Sequence, residues 1–173
     1  MTDTIPEKIR QSLKAADSQY HKLVLLVGKA GSGKTVVLND IANELCVSII
    51  NINLALSEKL LELTPKQRAL HIPQLFDEII GTGDSIKVLD NLEILFDKEL
   101  KQNPFKLLQL ISRNHLIIAS WTGSSKGGKL IYAEPDHPEY KKYDLEDTLV
   151  VRMDNTATID STQIIQRQDN YEI

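Results

Sequence analysis

Apolar positions along this chain fall into two alternating rhythms. Five runs are short and nearly continuous: Leu23-Val24-Leu25-Leu26-Val27, Val47-Ser48-Ile49-Ile50-Asn51-Ile52-Asn53, Ile86-Lys87-Val88-Leu89-Asp90, His115-Leu116-Ile117-Ile118-Ala119-Ser120-Trp121 and Thr148-Leu149-Val150-Val151-Arg152. Runs of this length, bounded by polar residues, predict strands buried on both faces. Between them apolar residues recur at spacings of three and four, the helical period. A helix is predicted over residues 5–20, with Pro6 in its first turn and Ile9, Leu13 and Ala16 on one face. A second follows the first strand and reaches about Leu45. A third spans 54–63, closed at Thr64-Pro65 because proline disfavours continuation. A fourth spans 73–80, ended by Gly81-Thr82-Gly83-Asp84. The fifth spans 99–114, striped by Leu100, Leu107, Leu108 and Ile111, with Pro104 either a first-turn residue or a kink.

Strands alternating with helices predict an α/β fold with a parallel sheet and right-handed crossovers. The stretch 122–146 is polar and holds Gly123, Gly127, Gly128, Pro135 and Pro138, so it carries no element in this reading. Residues 1–152 form one domain of ordinary size, and 153–173 a polar tail, either flexible or an attachment segment.

The turn between the first strand and the second helix is the most informative segment. Gly28-Lys29-Ala30-Gly31-Ser32-Gly33-Lys34-Thr35 follows an apolar strand and leads into Val36-Val37-Leu38, the strand, loop and helix context of a phosphate-binding P-loop. Gly28, Gly31 and Gly33 let the backbone curl until the N–H groups of Ala30, Ser32 and their neighbours through Val36 point inward at phosphate oxygens. The helix that opens at Gly33 adds the positive end of its dipole. Lys34 reaches the β- and γ-phosphates, and the Thr35 hydroxyl ligates Mg²⁺.

Such a loop needs an acidic partner on a neighbouring strand. Asp90 closes the third apolar run, the placement of a Walker B aspartate that holds Mg²⁺ through water. The interval between the two motifs leaves room for an intervening strand. That predicts a P-loop NTPase three-layer fold with a parallel five-stranded sheet of the additional-strand ATPase type. No helical lid domain follows the fifth strand in this reading. The position after the aspartate, commonly a glutamate that polarises the attacking water, is Asn91; an amide can position water but cannot take its proton. Glu93 is the substitute, or else an exposed carboxylate at a helix start. Thr122 or Ser120, at the end of the fourth strand, occupies the place of a γ-phosphate sensor. Arg113 is either an arginine finger for a neighbouring subunit or a helix C-terminal cation. Trp121 is expected to pack. His21, beside Tyr20, either borders the base or is half-buried surface.

Composition narrows the remaining classes. Hydrophobic residues make up 42% of 173 and charged residues 25%, which fits a globular domain. No apolar run approaches a membrane span, and Met1-Thr2-Asp3-Thr4 does not open a signal peptide, so a cytoplasmic location is expected. The net charge of −4 argues against broad electrostatic binding of nucleic acid. Lys126, Lys129, Lys141 and Lys142 are expected as solvated loop charges, the first pair in a glycine-rich loop that could face a ligand. Cys46 is alone, which excludes an intrachain disulfide and predicts a small buried residue. His71, His115 and His137 lack metal-ligand spacing.

Several stretches together resemble one family. They are residues 20–28, Asn51-Ile52-Asn53-Leu54, Leu60-Leu61-Glu62-Leu63-Thr64, the Asp90-Asn91-Leu92-Glu93 segment, and Tyr132-Ala133-Glu134-Pro135 through Tyr140. From about Tyr20 to Tyr143 the chain is similar to BrxF, the small P-loop proteins of type 3 bacteriophage exclusion (BREX) systems. The resemblance implies an ATP- and Mg²⁺-binding component of a bacterial anti-phage defence, acting beside a methyltransferase, a phosphatase-like protein and larger ATPases. It also implies that the Asp-Asn pair belongs to the family. Hydrolysis is then expected to be weak alone and completed by self-association, as a homo-oligomer, or by another BREX protein. The alternative is a non-hydrolysing nucleotide switch or scaffold, in which ATP orders residues 122–128 into a docking surface.

Overall fold

A computed structural model of the protein describes residues 3–83, 85–133 and 141–154. Its elements in chain order are α1 (Ile5–Ala16), β1 (Leu23–Gly28), α2 (Lys34–Leu45), β2 (Ile49–Asn51), α3 (Ile52–Leu60), α4 (Pro65–Ile80), β3 (Lys87–Asp90), α5 (Pro104–Ile111), β4 (Ile117–Lys126), β5 (Lys129–Tyr132), β6 (Lys141–Asp144) and β7 (Leu149–Arg152). Two short 3-10 turns, Glu93–Phe96 and Lys98–Leu100, lie between β3 and α5.

Five strands pair in parallel in the order β2-β3-β4-β1-β7. The continuous apolar runs are explained by coverage on both faces. Along β1, Val24 and Leu26 point to one side, where α1 and α2 supply Ile9, Leu13, Leu38 and Ile41. Leu23, Leu25 and Val27 point to the other, where α3, α4 and α5 supply Leu56, Phe76 and Leu108. This is the predicted three-layer α/β fold. The P-loop and the end of β3 meet at the carboxyl ends of the strands, where open parallel sheets bind ligands.

The local differences from the sequence reading have identifiable causes. Thr64-Pro65 does not close a helix; it opens α4. Thr64 caps the helix through the Gln67 N–H, Gln67 reaches back to the Thr64 N–H, and Pro65 takes the first position. Pro73 lies inside α4 and leaves the Ala69 carbonyl without its helical donor, a loss made good by Gln102 Nε2 at 2.9 Å. The predicted strand through Asn53 stops at Asn51, whose side chain accepts from the Leu54 N–H and starts α3. The predicted helix from Glu99 starts only at Pro104, a first-turn residue capped by Asn103. Cys46 is exposed, closing α2 in the left-handed conformation at φ 59°.

The largest difference is the stretch 122–146. β4 continues past the parallel sheet to Lys126, turns at Gly127-Gly128 and returns as β5, against which β6 pairs antiparallel. Both turn glycines have positive φ, 59° and 77°, as a two-residue hairpin turn requires. The segment is therefore a built platform in which Lys126, Lys129, Lys141 and Lys142 lie on strands; Lys129 pairs with Asp144. Leu130 and Tyr132 bury one face of it, and Trp121 donates from Nε1 to the Ile131 carbonyl at 3.1 Å. Tyr143 is half-buried here, and burial pushes its hydroxyl pKa up to about 12. The tail of 153–173 falls outside the described residues beyond Asp154, as do Glu134 to Tyr140.

Candidate functional site

The loop after β1 curls as its glycines allow. Gly31 and Gly33 have φ of 77° and 97°, in the region that side chains rarely adopt. Gly28 is required for a different reason: a Cβ there would stand 2.5 Å from Ser32 Oγ and 2.7 Å from Met153 Cγ. Lys34, buried in the first turn of α2, donates from Nζ to the carbonyls of Gly28 and Lys29, both at 2.9 Å. Burial lowers its pKa from 10.5, opposed by the charges of Glu93 and then Asp90.

A cavity of about 450 Å³ opens in front of this loop. Ala30, Gly31, Gly33, Lys34, Thr35 and Val36 line it from the loop, and Asp90, Asn91, Glu93, Ser120 and Thr122 from the ends of β3 and β4. Two clusters organise its wall. In the first, Thr35 Oγ1 donates to Asp90 Oδ2 at 2.7 Å, while Ser120 Oγ and the Asn91 N–H donate to Oδ1 at 2.6 and 2.9 Å. In the second, Thr122 Oγ1 donates to Glu93 Oε2 at 2.8 Å and Asn53 Nδ2 to Glu93 Oε1 at 3.4 Å. Asn53 also accepts from the Ile94 N–H at 2.8 Å, and its own N–H donates to the Asn91 carbonyl at 2.8 Å. This one residue clamps both ends of the segment 91–94.

The donor set fits Mg·ATP. A hydroxyl and a carboxylate converge beside a backbone cradle, with a lysine ammonium on the loop side. In this arrangement Thr35 and Asp90 would hold the cation, directly and through water. Residues 28–36 would hold the phosphates. Bound Mg·ATP would supply an electrophilic γ-phosphorus, and the cation and Lys34 would neutralise the charge that develops on the phosphate oxygens. Glu93 is the one carboxylate in the cavity not engaged with Thr35, so it is the group available to accept a proton from water.

Not every expected site residue is gathered here. Gly28 and Ser32 line a second cavity of about 380 Å³ on the other flank of the loop, with Lys29, Gly123, Arg152 and Met153. Ser120 is buried against Asp90, which leaves Thr122 as the hydroxyl beside Glu93. Arg113 sits before β4, where the Lys22 N–H binds the Ser112 carbonyl, at the end of β1 opposite the P-loop. Six strand residues separate the two ends, about 20 Å, and the guanidinium lies 5.0 Å over the Tyr20 ring. It does not reach its own chain's cavity. His21 lies at that same far end, its N–H bonded to Asp147, and borders no P-loop residue. Asn53 was not expected in the site. It lies in the first turn of α3, two residues past the end of the strand beside β3, and that strand order is not written in the sequence.

Among the described residues no helix is long and apolar enough to cross a membrane. No curated protein matches the chain. A solved structure of PCH-2 from C. elegans is similar to it, at 19% identity and a TM-score of 0.38, over 70% of this chain and 36% of that one. The chain thus spans about a third of the length of that protein. Residues 24–113, from β1 past the end of α5, match the ATPase family associated with various cellular activities (AAA), and with this P-loop on this parallel sheet the chain belongs to that nucleotide-binding family.

Proposed function

We propose that this chain is an ATP- and Mg²⁺-dependent ATPase of a bacterial anti-phage defence (BREX) system, in which Glu93 activates the attacking water. The observation that carries the hydrolytic part is the Glu93 carboxylate in the cavity wall, beside the Thr35–Asp90 pair, where Asn91 stands after the aspartate. Thr122, which donates to Glu93, is placed to turn to the γ-phosphate when one is bound. The defence role rests on the resemblance of residues 20–143 to BrxF. Hydrolysis is weak in the isolated chain, because Thr122 and Asn53 hold Glu93 and no arginine of the described chain lines the cavity. A second subunit or another BREX protein completes the site, with Arg113 or Arg152 reaching a neighbour.

The test is ATP hydrolysis across a wide range of protein concentration. Specific activity is expected to climb with concentration, and chains lacking Lys34 mixed with Arg113→Ala chains are expected to regain part of it. Activity independent of concentration would remove the shared site. One observation favours a second reading, the non-hydrolysing switch: both oxygens of Glu93 already have partners. ATP bound without turnover at any concentration would favour it.

A further inference from the structure

The 3-10 turn that carries Glu93 is gripped a second time, at its other end. Phe96 closes the turn, buried, and its ring stacks on Tyr132 of β5 with centroids 3.5 Å apart and planes 2° from parallel. Trp121 stands edge-on to both rings, at 5.1 and 6.2 Å. The hairpin is in turn one body with the end of β4. Trp121 Nε1 binds the Ile131 carbonyl, and Gly123 packs so closely that a Cβ there would lie 1.9 Å from that same oxygen. Both grips on the turn therefore come from the same body: Thr122 holds Glu93 at one end and Tyr132 holds Phe96 at the other. When Thr122 turns away from Glu93, the stack at the far end and the Asn53 clamp at the near end still fix where the turn, and its carboxylate, can go.

We propose that Tyr132, acting through Phe96, is a positioning residue for Glu93 in ATP hydrolysis. This rests on the reading of Glu93 as the water-activating group. Proton acceptance requires the carboxylate within hydrogen-bond reach of the attacking water, and small misplacements of such a group are costly. Binding of ATP requires no such placement, because the P-loop, Thr35 and Asp90 lie on β1, α2 and β3 and not on this turn. The effect is confined to the chemical step.

The sole tryptophan stands edge-on against the stack, which gives a readout independent of turnover. The experiment measures kcat and KM for ATP, together with Trp121 emission in Mg·ADP and in Mg²⁺ with a non-hydrolysable ATP analogue. The chains compared are wild type, Tyr132→Leu, Tyr132→Phe and Phe105→Leu. Phe105 is buried in the same aromatic cluster, against Trp121 and Tyr143, but makes no ring contact with Phe96 or Tyr132. It controls for loss of core packing. Tyr132→Leu is expected to lower kcat about tenfold to a hundredfold with KM unchanged. It should also erase the difference in Trp121 emission between the two nucleotide states. Tyr132→Phe keeps the ring and should retain both, as should Phe105→Leu. Equal effects of Tyr132→Leu and Phe105→Leu would reduce the stack to core packing and overturn the proposal, with the ATPase reading intact. Wild-type chains that bind ATP but never turn it over would overturn both.

Discussion

The two halves of this cavity are built by opposite means. The binding half is one continuous segment: a buried strand, a glycine loop and a helix start bring Gly31, Gly33, Lys34 and Thr35 together within a single turn. The half that bears on chemistry is an assembly. Asn53 comes from the start of α3, Glu93 from a turn after β3, Thr122 from β4, and their order depends on a hairpin returning from Gly127-Gly128. Short-range order makes the first half robust to changes elsewhere. The second depends on packing of segments far apart in sequence, so a change in any one of them can move it.

Substitutions can break that contrast, and the largest effect belongs to the binding half. Lys34→Ala is expected to weaken ATP binding by ~10²-fold or more, removing a charge-assisted contact to phosphate, with the circular dichroism spectrum and melting temperature preserved. A molten Lys34→Ala protein would make the lysine a structural residue, since its Nζ also ties the loop carbonyls. Glu93→Gln should leave ATP affinity within about twofold and lower turnover by ~10²-fold or more, the usual contribution of a general base. Equal loss of binding and turnover would merge the two halves.

A matched pair of glycine changes sharpens the comparison. Gly123→Ala drives a methyl into the Ile131 carbonyl and is expected to cost about 1–3 kcal/mol of stability by denaturant melting, as overpacking does. ATP binding should survive in the folded fraction. Gly28→Ala meets Ser32 and Met153 and should impair nucleotide affinity before stability, because the loop itself must shift. The smallest effect is a pH dependence. Lys34 has a pKa below 10.5 in the free protein, and a bound polyphosphate favours the charged form. ATP affinity should therefore be full below that depressed pKa and decline as pH rises through it. The proton taken up on binding checks this, by calorimetry in buffers of differing ionisation enthalpy. Lys34→Arg should shift the decline to higher pH.

Much of the architecture was legible because its signals are local. β1 and β3 read as strands since both faces are covered, and the P-loop read as a site since its glycines and lysine are contiguous. Asp90 was legible from its place at the end of an apolar strand. The hairpin gives little strand signal although Gly127-Gly128 is a turn signal, because Ser124 and Lys126 of β4 and Lys141 and Lys142 of β6 lie exposed and the apolar residues of β5 are few. α4 was misread because Pro73 looks like a boundary; only Gln102, from another segment, satisfies the carbonyl that the proline orphans. Arg113 lies before β4, at the far end of the sheet from its own chain's P-loop, a distance that strand order sets and that leaves a finger role only toward a neighbouring subunit.

By itself the sequence determined the layered α/β fold and the glycine loop, and it placed Asp90 at the end of a buried strand, because hydrophobic period, glycine conformational freedom and loop spacing are properties of consecutive residues. Only the tertiary structure decided that Asn53 and Thr122 share Glu93, that Phe96 stacks on a hairpin, and that Arg113 faces away. Those relations depend on strand order and on distances across the sheet, which packing of the whole chain sets.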